Sequence, residues 1–277
     1  MKIITLANQK GGVGKTTSVL NLGAALAQMG FKTLIVDSDP QGNATSGLGF
    51  DKRAFSPSIY NVLVDLMPID KALQPTSIQN LFLAGSGKDL AGAEVELVPA
   101  LARESRLKGS FAAIKNQFEF VLIDCPPSLG LLTVNALTAA THVLIPIQGE
   151  YYALEGLAQF VDTISLVKKS LNPHLDFLGC FLTLFDSRMS LAQQVQDEVQ
   201  KFMKEKLFKS IIPRSIRLAE APGFGKTIFE HDAKSRGALA YLDLSREILV
   251  RMEYLCELNH SLGTSNDRDS VMAGESA

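Results

Sequence analysis

The sequence predicts an α/β fold, a doubly wound and mostly parallel sheet flanked by helices. Six apolar runs of strand length alternate with segments of helical period along the chain. A glycine-rich turn joins the first run to the first helix. The runs are continuously apolar, which suits parallel strands buried on both faces.

Taken in order, the expected strands are KIITLA from Lys2, TLIVD to Asp37, FEFVLID to Asp124, HVLIPI to Ile147, FLGCFLTLF to Phe185 and LFKSIIP to Pro213. The expected helices are Thr17 to Met29 closed by Gly30, Leu154 to Leu171 stopped by Asn172-Pro173, Ser190 to Lys206, and Ala238 to Leu258. Residues 42 to 107 are less regular, and short helices with an edge strand around ELVPAL from Glu96 are expected there. From Asn259 onward the chain is polar and aperiodic, so residues 1–258 read as one domain and 259–277 as a disordered tail.

Composition narrows the function. The chain has 277 residues, 46% hydrophobic and 20% charged, with 27 Lys+Arg against 29 Asp+Glu, an ordinary balance for a globular protein. Cys125, Cys180 and Cys256 are odd in number and far apart, which disfavours a disulfide framework or zinc site and suits a reducing cytoplasm. The apolar start is too short for a signal peptide, and no run approaches a bilayer span. Charge is nevertheless uneven: residues 201–236 hold nine Lys/Arg against four acids, so a basic face is open to the chain.

The strongest chemical signal is KGGVGKTT, Lys10 to Thr17, between the first expected strand and helix. Gly11, Gly12 and Gly14, with Val13 between them, let backbone N–H groups turn inward toward a polyphosphate at a helix N-terminus. Lys15 then reaches the β and γ phosphates, the Thr16 hydroxyl ligates Mg2+, and Thr17 continues the helix start. The general phosphate-loop pattern wants a glycine where Gln9 stands, and a second lysine, Lys10, follows it. Asp124 ends its strand at the carboxyl edge, where such sheets bind ligands, and fits a carboxylate holding Mg2+ through water. Asp37 and Asp39 end the second strand in VDSDPQGN; either joins the site or caps the Asp-Pro turn.

At these residues the chain resembles the ParA/Soj branch of the deviant Walker-A, P-loop ATPases. The match runs from Lys2 to about Leu258 through NQKGGVGKTT, VDSDPQGNATSGLG, VLIDCPPSLG, PIQGEYYALEG and IIPRSIRLAEAPGFGK. It is similar to the short subgroup that lacks a helix-turn-helix extension. The resemblance implies an ATP-dependent homodimer with Mg2+, located in the cytoplasm on the nucleoid, that binds nonspecific double-stranded DNA and is stimulated by a ParB-like centromere-binding protein. It implies a signature lysine at Lys10 that crosses to the partner's phosphates, with Gly11 where the subunits meet. It also implies a water-activating Asp39, a Walker-B Asp124, adenine held near Pro213 and Arg214, and DNA contacts from Arg188 and Arg217. The plain alternative for Arg188 and Arg217 is solvated surface charge.

Three rivals share the loop chemistry. A MinD-like membrane-surface ATPase needs a basic amphipathic C-terminal helix, whereas this tail is acidic. An electron-transfer ATPase needs paired cluster cysteines, and buried apolar roles suit Cys125 and Cys180 better. A small-molecule enzyme of the dethiobiotin synthetase type stays open, because fold alone does not set function. No Asn/Thr-Lys-x-Asp guanine motif follows the strands, which favours ATP over GTP.

Overall fold

The computed structural model describes residues 1–150 and 153–254. Its strands are β1 (Lys2–Leu6), β2 (Thr33–Asp37), β3 (Leu73–Pro75), β4 (Leu81–Ala84), β5 (Phe120–Asp124), β6 (His142–Gln148) and β7 (Asp176–Thr183). They form one sheet in the order β3-β4-β2-β5-β1-β6-β7, parallel throughout except for β3 against β4. The helices are α1 (Lys15–Gln28), α2 (Asn43–Gly47), α3 (Ile59–Leu63), α4 (Leu90–Glu96), α5 (Arg106–Ser110), α6 (Leu131–Ala139), α7 (Ala153–Ser170), α8 (Ser190–Met203), α9 (Ile216–Glu220), α10 (Ile228–Asp232) and α11 (Arg236–Arg251).

Strand alternation explains the two-sided core. Val121 and Ile123 of β5 enter one apolar cluster with Leu132 and Ala136 of α6 and Phe160 of α7. Phe120 and Leu122, their neighbours in sequence, enter a second cluster with Leu22 and Leu26 of α1 and Tyr241 and Leu244 of α11. Successive strand residues point to opposite faces, so a strand covered on both sides must be apolar at every position. The five residues of β5 are all buried. The expected doubly wound α/β sheet is therefore what the chain forms.

Two expected strands are corrected. LFKSIIP follows the edge strand β7 without becoming a full ladder: Leu207 bridges only Cys180, and Pro213 only Phe185. Between them the amides of Lys209 and Ser210 donate to the Glu247 carboxylate on α11, both at 2.9 Å, and Pro213 has no N–H to offer. ELVPAL is not a strand either. Leu90, Ala93 and Leu97 are buried at helical spacing, and the Leu97 amide still donates to the Ala93 carbonyl at 2.9 Å. The strands of this region are instead β3, at the sheet edge, and β4 between it and β2.

The expected helices hold within a few residues. α1 begins at Lys15, so the loop lysine lies inside the first turn, and α11 begins at Arg236. Residues 255–258 of the last expected helix, Cys256 and the expected disordered tail lie outside the described residues. Cys125 and Cys180 are buried and unpaired, and no described helix is long and apolar enough to cross a membrane.

Candidate functional site

The loop from Asn8 to Gly14 leaves the carboxyl end of β1 and turns directly into α1. Gly12 and Gly14 adopt left-handed φ values of 75° and 83°, which disfavour any side chain. The side-chain amide of Asn8 donates to the Pro146 carbonyl at 2.8 Å, and Asn8 Oδ1 accepts the Lys10 amide at 3.0 Å. At the far side, Thr183 at the end of β7 donates its hydroxyl to the Val13 carbonyl at 2.8 Å. Ser18 and Tyr241 share a hydroxyl hydrogen bond of 3.0 Å that ties α1 to α11 behind the loop. Three strand ends and two helices thus fix one turn.

Lys15 is buried, with its ammonium donating to the Asn8 and Lys10 carbonyls, each at 3.0 Å. Burial lowers its pKa below the usual lysine value, against the opposing pull of Asp124, Cys125 and Asp39. Lys10 behaves differently: it is half exposed and forms an ion pair with Glu150. One lysine stays inside the loop and the other reaches outward.

Asp37 and Asp124 are register partners at the ends of β2 and β5. Geometry separates their roles and that of Asp39. Asp37 Oδ2 accepts the Thr45 amide at 2.7 Å and the Thr45 hydroxyl at 2.6 Å, while Oδ1 accepts the Asp39 amide at 3.2 Å. It is a loop-building carboxylate, with burial pushing its pKa up to about 6. Asp39 lines the cleft, and its Oδ1 accepts the Gln41 amide at 2.9 Å.

Asp124 is fully buried, and neither carboxylate oxygen has a hydrogen-bond partner among the described residues. Burial raises its pKa well above the usual range, reinforced by Asp37, while Thr16 and Lys15 pull the other way. A buried carboxylate met only by the marginal approach of the Thr16 hydroxyl is costly unless a cation or proton completes it. Together with the Thr16 hydroxyl it forms an all-oxygen donor set suited to Mg2+.

Lys15, Thr16 and Asp39 border a cleft of about 360 Å3, within the roughly 300–1,000 Å3 range of small-molecule sites, and Asp124 lies buried beside Thr16 and Lys15. Gly11, Gly12, Gly14, Lys15, Thr16, Thr17 and Asp39 line one end. Leu184, Ile212, Ser215, Leu218 and Tyr241 line it further along. Pro213 and Arg214 are not among its lining residues, although Ile212 and Ser215 on either side of them are. Both border a separate groove of about 640 Å3 with Asp186, Arg188 and Arg236.

Arg188 follows β7 on an exposed turn and is held by Asp186 through contacts of 2.8 and 2.6 Å. That pairing depresses the Asp186 pKa to about 2. Arg217, in the first turn of α9, pairs with Glu220 at 3.4 Å and Asp232 at 3.8 Å. Ile216 lines the same groove as Arg188, so the two arginine-bearing segments border one surface region. Pairing to local acids was not legible in the motifs, and neither were Thr183, Tyr241 or Glu150, which no fixed spacing announces.

The comparisons agree with this architecture. The AAA domain family model matches residues 1–177. The sporulation initiation inhibitor protein Soj of Bacillus subtilis (strain 168) is 52% identical, covering 89% of this chain and 98% of its own length. The chromosome partitioning protein ParA of Myxococcus xanthus is 51% identical over 90% of this chain and 88% of its own. Among solved structures, one named cobyrinic acid a,c-diamide synthase from Mycobacterium smegmatis, with bound ADP and magnesium, is 38% identical. It superposes with a TM-score of 0.81, covering 91% of this chain and 96% of that one. With the loop, the strand-end aspartates and this similarity in both sequence and structure, the chain belongs to the ParA/Soj family of chromosome-partitioning ATPases.

Proposed function

We propose that the chain is a nucleotide-timed DNA partitioning switch: ATP closes a homodimer that binds duplex DNA without sequence preference, and slow hydrolysis releases it. The observation that carries the reading is the meeting of Gly11, Gly12, Gly14, Lys15, Thr16 and Asp39 at one cleft, with the uncompleted Asp124 carboxylate buried beside Thr16 and Lys15. Thr16 and Asp124 would hold Mg2+, which when bound neutralises polyphosphate charge. The loop amides and Lys15 supply preorganised positive charge for the γ-phosphate, and the apolar end near Ile212 and Leu218 receives the base.

Asp39 accepts a proton from the attacking water on Oδ2, since Oδ1 is engaged by Gln41. Water oxygen bonds to the γ-phosphorus as the bond to the β,γ-bridging oxygen breaks, and ADP departs with that electron pair. Lys10 points away from its own loop toward Glu150, which supports a role for it on a partner's phosphates rather than its own. Completing the site across an interface makes turnover depend on the dimer, and stimulation by a ParB-like protein would act there.

Arg188 and Arg217 are the proposed DNA contacts, joined by Arg214 and Arg236, which line one groove with Arg188 and with Ile216 next to Arg217. A phosphate must compete with Asp186, Glu220 and Asp232 for the first two, so one subunit binds weakly. Two subunits held together convert two weak contacts into one strong one. The setting implied is the cytoplasm, on the nucleoid.

The test is binding of a scrambled duplex without nucleotide, with Mg-ADP and with Mg-ATP over a salt series. Salt-sensitive binding confined to Mg-ATP is expected, and equal binding in all three states overturns the switch. A small-molecule ligase would instead couple turnover to a metabolite and leave duplex binding indifferent to nucleotide, so the same titration separates the two.

A further inference from the structure

A second, smaller cavity of about 220 Å3 lies beyond the Asp39 loop, walled by Gln41, Lys52, Arg53, Ser86, Gly87 and Lys88. Gln41 also borders the nucleotide cleft, so the two spaces share a wall. Three cationic side chains converge here and no acidic side chain lines the space. None of the three is in an ion pair among the described residues: Lys52 donates to the Gln41 carbonyl at 2.6 Å, while Arg53 and Lys88 are exposed. The neighbouring acid Asp51 is engaged by the Arg53 amide at 2.9 Å. In a chain with net charge −2, three unneutralised cations around one small cavity repel one another unless an anion joins them.

An independent observation also points to a ligand. Ser86 lines the cavity and is fully buried, and its Oγ has no hydrogen-bond partner among the described residues. A buried hydroxyl left unsatisfied costs free energy that a bound acceptor recovers. Donors from the 52–53 turn, the 86–88 turn and this hydroxyl approach from several directions, which suits a tetrahedral oxyanion better than a planar carboxylate. The space is too small for a whole nucleotide, given that small-molecule sites start near 300 Å3.

The wall is wired to the catalytic loop. The Ser86 amide donates to the Thr45 hydroxyl at 2.8 Å, and that hydroxyl donates to Asp37 at 2.6 Å. Asp37 in turn accepts the Asp39 amide at 3.2 Å. We propose that this cavity is a second oxyanion site, taking a phosphate group next to the loop that carries Asp39. Inorganic phosphate and a DNA phosphodiester present the same chemistry to it.

The test uses the full chain with Mg-ADP present in excess. Inorganic phosphate is titrated calorimetrically against chloride of matched ionic strength, and a short scrambled duplex is titrated in parallel. The variants are Arg53→Gln/Lys88→Gln, Ser86→Ala, and a control that removes two charges elsewhere, Lys108→Gln/Lys115→Gln. Loss of roughly tenfold in phosphate affinity in Arg53→Gln/Lys88→Gln, with a smaller loss in Ser86→Ala and none in the control, establishes the site for free phosphate. The same pattern for duplex alone establishes it for a DNA phosphate. If the double variant and Ser86→Ala match the control for both ligands, the proposal is overturned.

Discussion

Lys15 and Lys10 are separated by five positions and have opposite environments, and their substitutions should differ accordingly. Lys15 lies buried against two loop carbonyls, already desolvated and aimed within the loop. Lys15→Ala should weaken Mg-ATP binding by at least about tenfold, measured with a fluorescent nucleotide, because one charge-assisted contact is lost from a water-poor site. Affinity equal to wild type would remove the phosphate-loop assignment. Asp39→Ala should leave nucleotide binding intact while turnover falls by about 10^2–10^4, the usual worth of a general base. Phosphate release at the wild-type rate would move that role elsewhere. Spacing alone placed Asp37 and Asp39 together at a strand end without choosing between them, and only the family resemblance pointed to Asp39. The structural reason is Thr45, which stands eight residues on and occupies Asp37 with two hydrogen bonds. A tertiary partner of that kind leaves no mark in local spacing.

Between α8 and α9 the chain touches β7 through scattered backbone hydrogen bonds, and at Lys209 and Ser210 it is held by a side chain instead. Glu247 of α11 accepts the Lys209 and Ser210 amides and the Ser210 hydroxyl, and pairs with Arg251 at 2.9 Å. Burial alone would raise its pKa, but these donors outweigh it and hold the carboxyl below the ordinary glutamate range. A carboxyl with a depressed folded pKa contributes stability above its unfolded value near 4.5, and loses it as pH falls through the folded value. Glu247→Gln should therefore cost about 1–2 kcal/mol in urea unfolding at pH 7. The difference from wild type should shrink from about pH 5 downward; a constant difference would deny the carboxylate its role. This element also shows what pattern could not supply. LFKSIIP has strand composition, yet its Lys209 and Ser210 amides go to a helix while only Phe208 and Ile212 donate to β7, and ELVPAL has a strand-like apolar run, yet its buried positions follow a helical period. The central strands were legible because burial on both faces leaves only apolar residues. Edges were not, because there a single long-range acceptor decides the backbone's partner.

At the scale of the whole molecule, a net charge of −2 repels DNA on average, so binding must come from a local face and from doubling that face. The arginines on it are restrained by acids: Arg188 by Asp186, and Arg217 by Glu220 and Asp232. This arrangement predicts effects of opposite sign from adjacent residues. Removing a cation, as in Arg217→Ala, should weaken duplex binding in the Mg-ATP state. In a dimer the slope of log affinity against log salt should become shallower by about 1.8, from about 0.9 per phosphate contact at two equivalent positions. Removing a competing acid should do the reverse. Asp186 is held in its charged form by Arg188, with a pKa near 2, so it competes with phosphate at any working pH. Asp186→Asn releases Arg188 to the nucleic acid, and the duplex should bind more tightly, with a steeper salt dependence. Asp232→Asn should act in the same direction through Arg217. Both acid variants should dimerise with Mg-ATP as wild type does, by light scattering, since neither residue borders the nucleotide cleft. If the arginines are only solvated surface charges, all three substitutions leave the slope unchanged. If the acids alone matter through overall charge, Asp186→Asn and neutralisation of the exposed Asp65, remote in sequence from this face, will tighten binding equally. Only a face built from restrained arginines gives a shallower slope on losing Arg217 and a steeper one on losing Asp186.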